Sequence, residues 1–422
     1  GGFGGCCANA FITRRVDPRG NATAYTYDAF GNMLSAVGAD PAGKDEWEYD
    51  GFGRVTARIH GDNGQGHRQR DEYIYYTAGV MRGYLKSVTL DAPGFAITET
   101  YEYDSLGRMV RAIDPAGTNT TAFPNALNEV VREVSRPVNA TGTRVTKDRF
   151  MDADGNLIRV DVENRDHTGA LQNNTHFTTT YAYDTLNRHI SSTREVDDSH
   201  SITTELVYDS EGRVSQIRSG EAVNGNQPDN VVHRAYDERG KLYQETMSDG
   251  AVELTSQRDY NVDGYTVRKV DAVGSADREI SLVLDGFGRT RESTDPMGNR
   301  RSMSYDAKGN IVMFRTFGET VDVHGSNGNV RTHEMRVTFD EDDRPLHIET
   351  DQFDPATGSP IGEGMRVNDR VYSPSGHLIS EVTTDGGVFE LYRDSAGRTS
   401  VERLPTGVER RYTYDTLDKL TR

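Results

Sequence analysis

One six-residue pattern, Tyr-Asp-x-x-Gly-Arg, recurs along almost the whole chain, and repetition of this kind decides the fold before any other feature does. The clearest copies are Tyr27-Asp28-Ala29-Phe30-Gly31-Asn32, Tyr49-Asp50-Gly51-Phe52-Gly53-Arg54 and Tyr103-Asp104-Ser105-Leu106-Gly107-Arg108. Tyr208-Asp209-Ser210-Glu211-Gly212-Arg213, Tyr236-Asp237-Glu238-Arg239-Gly240-Lys241 and Tyr305-Asp306-Ala307-Lys308-Gly309-Asn310 follow the same form. Met151-Asp152 and Leu284-Asp285 open copies that lack the Tyr. Tyr183-Asp184-Thr185-Leu186-Asn187-Arg188 and Tyr414-Asp415-Thr416-Leu417-Asp418-Lys419 put Asn or Asp in the glycine place. Those two residues tolerate a left-handed backbone best among the non-glycines. Weaker copies centre on Tyr76, Asn125, Asn261, Asp340, Ser373 and Asp394, giving sixteen in all at about 26 residues per repeat.

Each copy reads as a hairpin. Before the Asp, aromatic and polar residues alternate, as in Ala24-Tyr25-Thr26-Tyr27 and Thr100-Tyr101-Glu102-Tyr103. That period of two marks a strand with one covered face. The Asp carboxylate accepts from backbone N–H groups two residues on, and the Gly supplies a positive φ. A second strand follows, for example Val214-Ser215-Gln216-Ile217. A second turn is legible as Asp17-Pro18-Arg19-Gly20-Asn21, Asp114-Pro115-Ala116-Gly117 and Asp295-Pro296-Met297-Gly298, with type I chemistry. The array therefore runs over 16–422 as about sixteen strand-turn-strand-turn units, behind a Gly-rich leader at 1–15. Longer gaps at Gly318 to Val330 and Asp351 to Gly364 read as loops leaving one rim.

The fold class that follows is all-β: a continuous, curved or spiralling antiparallel sheet of tandem hairpins. Two strands per unit at ~4.8 Å spacing make a ribbon on the order of 150 Å wide. A sheet of that extent must curl, because every strand pair adds twist. Only 34% of the residues are hydrophobic, too few to fill a sandwich, while 21 Tyr and 14 Phe are too many for a solvated coil. The Tyr rungs are expected to stack on one another across neighbouring repeats.

Taken together, the Tyr-Asp-x-x-Gly-Arg units and the Asp-Pro-x-Gly turns resemble the Rhs or YD-repeat family. That family includes bacterial polymorphic toxins, the encapsulating component of insecticidal toxin complexes and the teneurins of animal cell surfaces. The resemblance covers about Val16 to Arg422. It implies a hollow β-shell or tube segment, a secreted or cell-surface location, and a role in enclosing or presenting a polypeptide cargo such as a toxin. Toxin-bearing members end their shell with a release motif that continues from Asp-Pro-x-Gly into a Gly-Gly-x-Asn stretch. The segments at Asp17, Asp114 and Asp295 lack that continuation, so autoproteolysis is not expected of this piece.

The expected catalytic, metal and cofactor sites are none. The Asp residues are occupied by turns. Asp259 to Gly264 imitates a calcium loop but has Val270 where a bidentate Glu is needed. Asp152 to Asn156 leaves weak surface calcium binding open. The eleven His residues form no His-Glu-x-x-His spacing, and no phosphate loop or nucleophile elbow occurs. The Cys pair, Cys6 and Cys7, reads as two thiols in the leader. Net charge of −18 argues against nucleic acid as a partner, and no run is apolar and long enough for a membrane span. The expected partners are flanking parts of a larger parent polypeptide and a cargo polypeptide. Two further readings are an adhesive scaffold that binds glycan and self-assembly through open sheet edges into a fibre or tube.

Overall fold

The computed structural model of the chain describes residues 11–421, except 39, 136, 138–141, 274–277, 319–328, 363–364 and 416. Among the described residues thirty-two strands form one antiparallel sheet, and helix is limited to single turns at Pro41–Gly43 and Glu221–Asn224. Contacts divide the chain into two compact units. The first comprises Gly1–Tyr101, Asp114–Gly117 and Asn299–Arg422, and the second Glu102–Ile113 and Thr118–Gly298.

Within each unit every strand pairs with its neighbour in sequence. In the first unit this holds for the eight strands from Arg14–Val16 to Ile97–Tyr103 and for the nine from Arg300–Tyr305 to Glu409–Arg411. In the second it holds for the fifteen strands from Met109–Ile113 to Thr290–Thr294. The first strand lies partly within the Gly-rich leader expected at 1–15. Phe11 stacks on Tyr27 with ring centroids 5.0 Å apart, which ties this segment to the first repeat. Cys6 and Cys7 lie outside the described residues.

The alternation read in the sequence is visible in the strand Ala22–Tyr27, where Tyr25 and Tyr27 are half-buried and Ala24 and Thr26 exposed. Hairpins closed by a repeat turn carry a bulge at the same place. Thr26 pairs with Ser35 but Tyr27 pairs with Met33, and Val207 pairs with Gln216 but Tyr208 with Val214. A type I turn closed by a residue in the left-handed region has this consequence, and it raises the local twist of the strand pair. Among the described residues only eight apolar side chains are fully buried, against ten polar or charged ones. The sheet is therefore held by its ladders and by polar side-chain contacts more than by a thick apolar core.

Candidate functional site

The repeat turn is the recurring chemical unit. In the Asp209 copy, the carboxylate Oδ1 accepts from the N–H of Glu211 (3.0 Å) and of Arg213 (2.9 Å). The Asp209 N–H donates to the Arg213 carbonyl at 2.8 Å, and the Gly212 N–H to the Asp209 carbonyl. Asp28, Asp50, Asp104, Asp184, Asp237, Asp285, Asp306, Asp340, Asp394 and Asp415 each close an N–H to carbonyl bond four residues on, as do Asn125, Asp152, Asn261 and Ser373. Only the Tyr76 copy differs: its N–H reaches the Tyr84 carbonyl across a longer loop, because no Asp and no correctly placed Gly stand there. The fourth-place residue is left-handed, with φ of 91° at Gly31, 76° at Gly53, 80° at Gly107, 78° at Gly240 and 103° at Gly309. Asn187 (58°) and Asp418 (65°) adopt it without glycine. The Asp17-Pro18 turn is the same turn, with Asp17 Oδ1 accepting from Arg19 and Asn21.

The last motif residue has a role that the residue pattern alone did not show. The Nε–H of Arg54, Arg108, Arg188 and Arg213 donates to Oδ2 of its own turn Asp at 2.6–2.7 Å. Asn32 and Asn310 make the same bond through Nδ2. The guanidinium then reaches the next repeat. Arg54 lies over the Tyr75 ring at 4.4 Å, Arg188 over Tyr208 at 4.6 Å, Arg213 over Tyr236 at 4.8 Å and Arg398 over Tyr414 at 4.6 Å. At these positions the expected ring-on-ring stacking of tyrosines is replaced by guanidinium over ring, because the bulged hairpin puts the arginine of one turn beside the tyrosine of the next.

The tyrosine returns the contact. Tyr49 donates its hydroxyl to the Met33 carbonyl (2.8 Å), Tyr183 to Leu157 (3.0 Å), Tyr208 to His189 (2.6 Å), Tyr236 to Val214 (2.8 Å), Tyr260 to Leu242 (2.7 Å) and Tyr414 to Thr399 (2.9 Å). In every case the acceptor is the fifth residue after the turn Asp of the preceding repeat. Tyr27 uses the Ile12 carbonyl instead. Tyr103 and Tyr305 end the strands Ile97–Tyr103 and Arg300–Tyr305.

Within the first unit a second feature joins residues some 300 positions apart. Turns of the N-terminal arm dock on turns of the C-terminal arm to form a seam. Arg19 donates to the Asp340 carbonyl and to Asp343 Oδ1, and Lys308 Nζ lies 3.0 Å from Asp17 and 2.5 Å from Asp343. Farther along, the Ser375 N–H donates to the Asp62 carbonyl (2.8 Å), Asn63 Nδ2 to the Asp394 carbonyl (3.2 Å) and the Arg393 N–H to Gln65 Oε1 (2.9 Å). Ser395 Oγ donates to Asp91 Oδ2 at 2.6 Å. Backbones approach closely here: a Cβ on Gly43 would sit 2.6 Å from the Pro374 carbonyl oxygen. Asn63, Asp91, Asp340 and Ser373 are all buried, so the seam takes much of the polar burial of this unit.

Electrostatics follow from these partners. Burial opposes the charge of Asp17, yet hydrogen bonds from Lys308 and Asn21 hold its carboxyl at about 2. Hydrogen bonding to Asp343, helped by Asp17, raises Lys308. Burial also opposes the charge of Asp71, and hydrogen bonds from His60 (2.7 Å), Gln69 and the Asp91 N–H together overcome it. The side chain of Glu334, almost fully buried, is ringed by Arg315, Arg331 and Arg336. Burial alone would raise it, and the arginines lower it.

These contacts tie turn to turn and repeat to repeat. No group of three or more His, Cys, Asp or Glu among the described residues could hold a metal ion. In the Asp152 copy both carboxylate oxygens are taken, by the N–H groups of Asp154 and Asn156 and by Asn156 Nδ2. Asp259 belongs to a strand and Asn261 to an ordinary repeat turn. Of the two expected insertions, Gly318 to Val330 lies largely outside the described residues. In the other, Phe353 bridges to Pro360 and is buried under Arg331, whose guanidinium is 3.9 Å from the ring centroid.

A family model for the Rhs repeat matches residues 12–40. No curated protein matches the sequence. Among solved structures the chain is similar to TcdB2-TccC3-TEV, at 13% identity and a TM-score of 0.69, covering 96% of this chain and 23% of that one. It is similar to TcdB2-TccC3-Cdc42 at 12% identity and a TM-score of 0.60, covering 96% and 24%. A Tc holotoxin pore from Photorhabdus luminescens gives 13% identity and a TM-score of 0.65, covering 96% and 22%. The chain thus spans about a quarter of the chains it resembles. At these identities the likeness is one of fold. Residues 12–40 thus match the Rhs repeat in sequence, the same turn recurs along the array, and the fold is the one shared with these Tc toxin chains.

Proposed function

We propose that this chain is a non-catalytic stretch of wall in a larger Rhs-repeat polypeptide that encloses or presents another polypeptide outside the cell. The mechanism is steric. The observation that carries the reading is the seam of the first unit, where turns of one arm seal against turns of the other through buried polar contacts. Such docking turns a ribbon of hairpins into a surface with fewer open rims. The fold shared with Tc toxin chains supports the same reading. Net charge of −18 suits a basic cargo. In the parent polypeptide, a segment held inside should resist protease until the wall is opened. A segment cut equally fast in the parent and alone would refute enclosure, and a cargo kept unchanged in high salt would remove the electrostatic part.

One observation favours a second reading, a binding scaffold. Phe30, Phe52, Leu106, Leu127, Leu186 and Phe287 stand at the tips of their turns, each more than two-thirds exposed. Reproducible signals on a glycan array would support adhesion.

A further inference from the structure

The turn Ser373 to His377 forms the middle of the seam. Its Ser375 Oγ is 3.0 Å from His377 Nδ1. The imidazole rests against the neighbouring seam turn: a Cβ on Gly397 would come within 2.9 Å of Cε1 and Nε2. The ring is thus wedged between the two turns that grip the loop at 62–66. The groups that bear on it electrostatically are Arg393, from the strand Val388–Arg393, and His60, from the strand Val55–Asp62.

The carboxylates on the surrounding elements are already engaged. Asp394 pairs with Arg398 through Nε at 2.8 Å, Asp71 with His60 at 2.7 Å, and Asp62 Oδ1 accepts from the Gly64 N–H at 2.7 Å. Arg393 spends its guanidinium on Thr399 Oγ1 (2.5 Å) and the Leu378 carbonyl (2.8 Å), both neutral. The charges that bear on a proton at His377 are those of Arg393 and His60, and both oppose it.

We propose that His377 makes the seam acid-sensitive: when it is protonated, the turns at 373–377 and 394–398 part from the loop at 62–66. Burial first, then Arg393 and His60, hold the docked imidazole below its ordinary 6.5. A depressed histidine favours the docked form while neutral, so docking weakens as pH falls through 6.5 and goes on weakening down to the docked value. This inference concerns the seam alone and is independent of whether a cargo is enclosed.

Hydrogen exchange on the whole chain tests it, with rates corrected for intrinsic pH dependence. The Ser375 and Arg393 amides report the seam, and the Asp209 amide, bonded to Arg213 within its own turn, is the reference. Between pH 7.5 and 5, seam protection should fall by up to about thirtyfold relative to the reference, the limit for a histidine of ordinary pKa that stays neutral when docked. His377→Gln should abolish the fall, and His60→Gln should keep most of it. Protection that tracks the reference in the native chain would overturn the proposal, as would a fall that survives His377→Gln. If that variant does not fold, Arg393→Gln decides: it should shrink the fall, and an undiminished fall counts against the idea.

Discussion

The tyrosine hydroxyls offer the sharpest test of how repeats are joined. In the second unit Tyr208, Tyr236 and Tyr260 each donate to a carbonyl of the preceding repeat at 2.6–2.8 Å. A Tyr→Phe change keeps the ring, and with it the Arg188 and Arg213 contacts, while removing one hydrogen bond. The expected loss is about 1 kcal/mol per position, within the ~0.5–1.5 kcal/mol of a neutral hydrogen bond. Successive rungs are separated by two strand spacings, about 10 Å, so the three changes should add to about 3 kcal/mol. Tyr243, whose hydroxyl has no partner among the described residues, is the control, and Tyr243→Phe should be near neutral. Urea unfolding followed by hydrogen exchange reads the loss in this unit, with an unchanged denaturant slope. If Y208F, Y236F and Y260F each cost no more than Y243F, the hydroxyl links are incidental and the sheet is held by its ladders alone.

Other outcomes follow from the same geometry. Asp340→Ala removes a buried carboxylate that accepts from the Asp342 and Arg344 N–H groups and from Arg344 Nε, and should cost about 3 kcal/mol in thermal or urea unfolding. Gly212→Ala forces a Cβ into a φ of 79° and should cost ~1–2 kcal/mol, whereas Asn187→Gly should be neutral or slightly stabilising. Because Asp17 titrates near 2 rather than near 3.8, its share of seam stability is complete above about 3.8 and is lost as pH falls toward 2. Lys308→Met should reduce that acid-side loss in the exchange of the Asn21 amide, which bonds Asp17 and itself helps to hold the carboxyl down. This window lies well below that of His377.

Much of the local structure was legible. Asp and Gly at fixed spacing named the turn, and Tyr alternation named the strand. Asn187 and Asp418 took the left-handed position their residue types allow. The Asp-Pro segments, read as a second turn with type I chemistry, close in the same way as the repeat turns, since the Asp cap and the left-handed fourth residue decide the geometry and Pro merely fits it. The partners of the motif arginine were hidden because they lie one repeat away, where the bulge rather than the pattern sets what meets. The seam was hidden for a stronger reason. Its residues, Asp62, Asp91, Ser373 and Ser395, are the types that turn chemistry already accounts for, and their partners are some 300 positions distant.

The claim on which the rest depends is that the two arms of the first unit meet turn to turn. Lys308 Nζ and the Asp17 carboxylate, 3.0 Å apart, are placed for a zero-length amide. Carbodiimide treatment of the dilute chain, followed by peptide mass spectrometry, should yield an intramolecular 17–308 cross-link that is lost in Lys308→Met. Recovery of cross-links within single hairpins, such as between Lys44 and Glu46, without any link between residues 17 and 308 would contradict the seam.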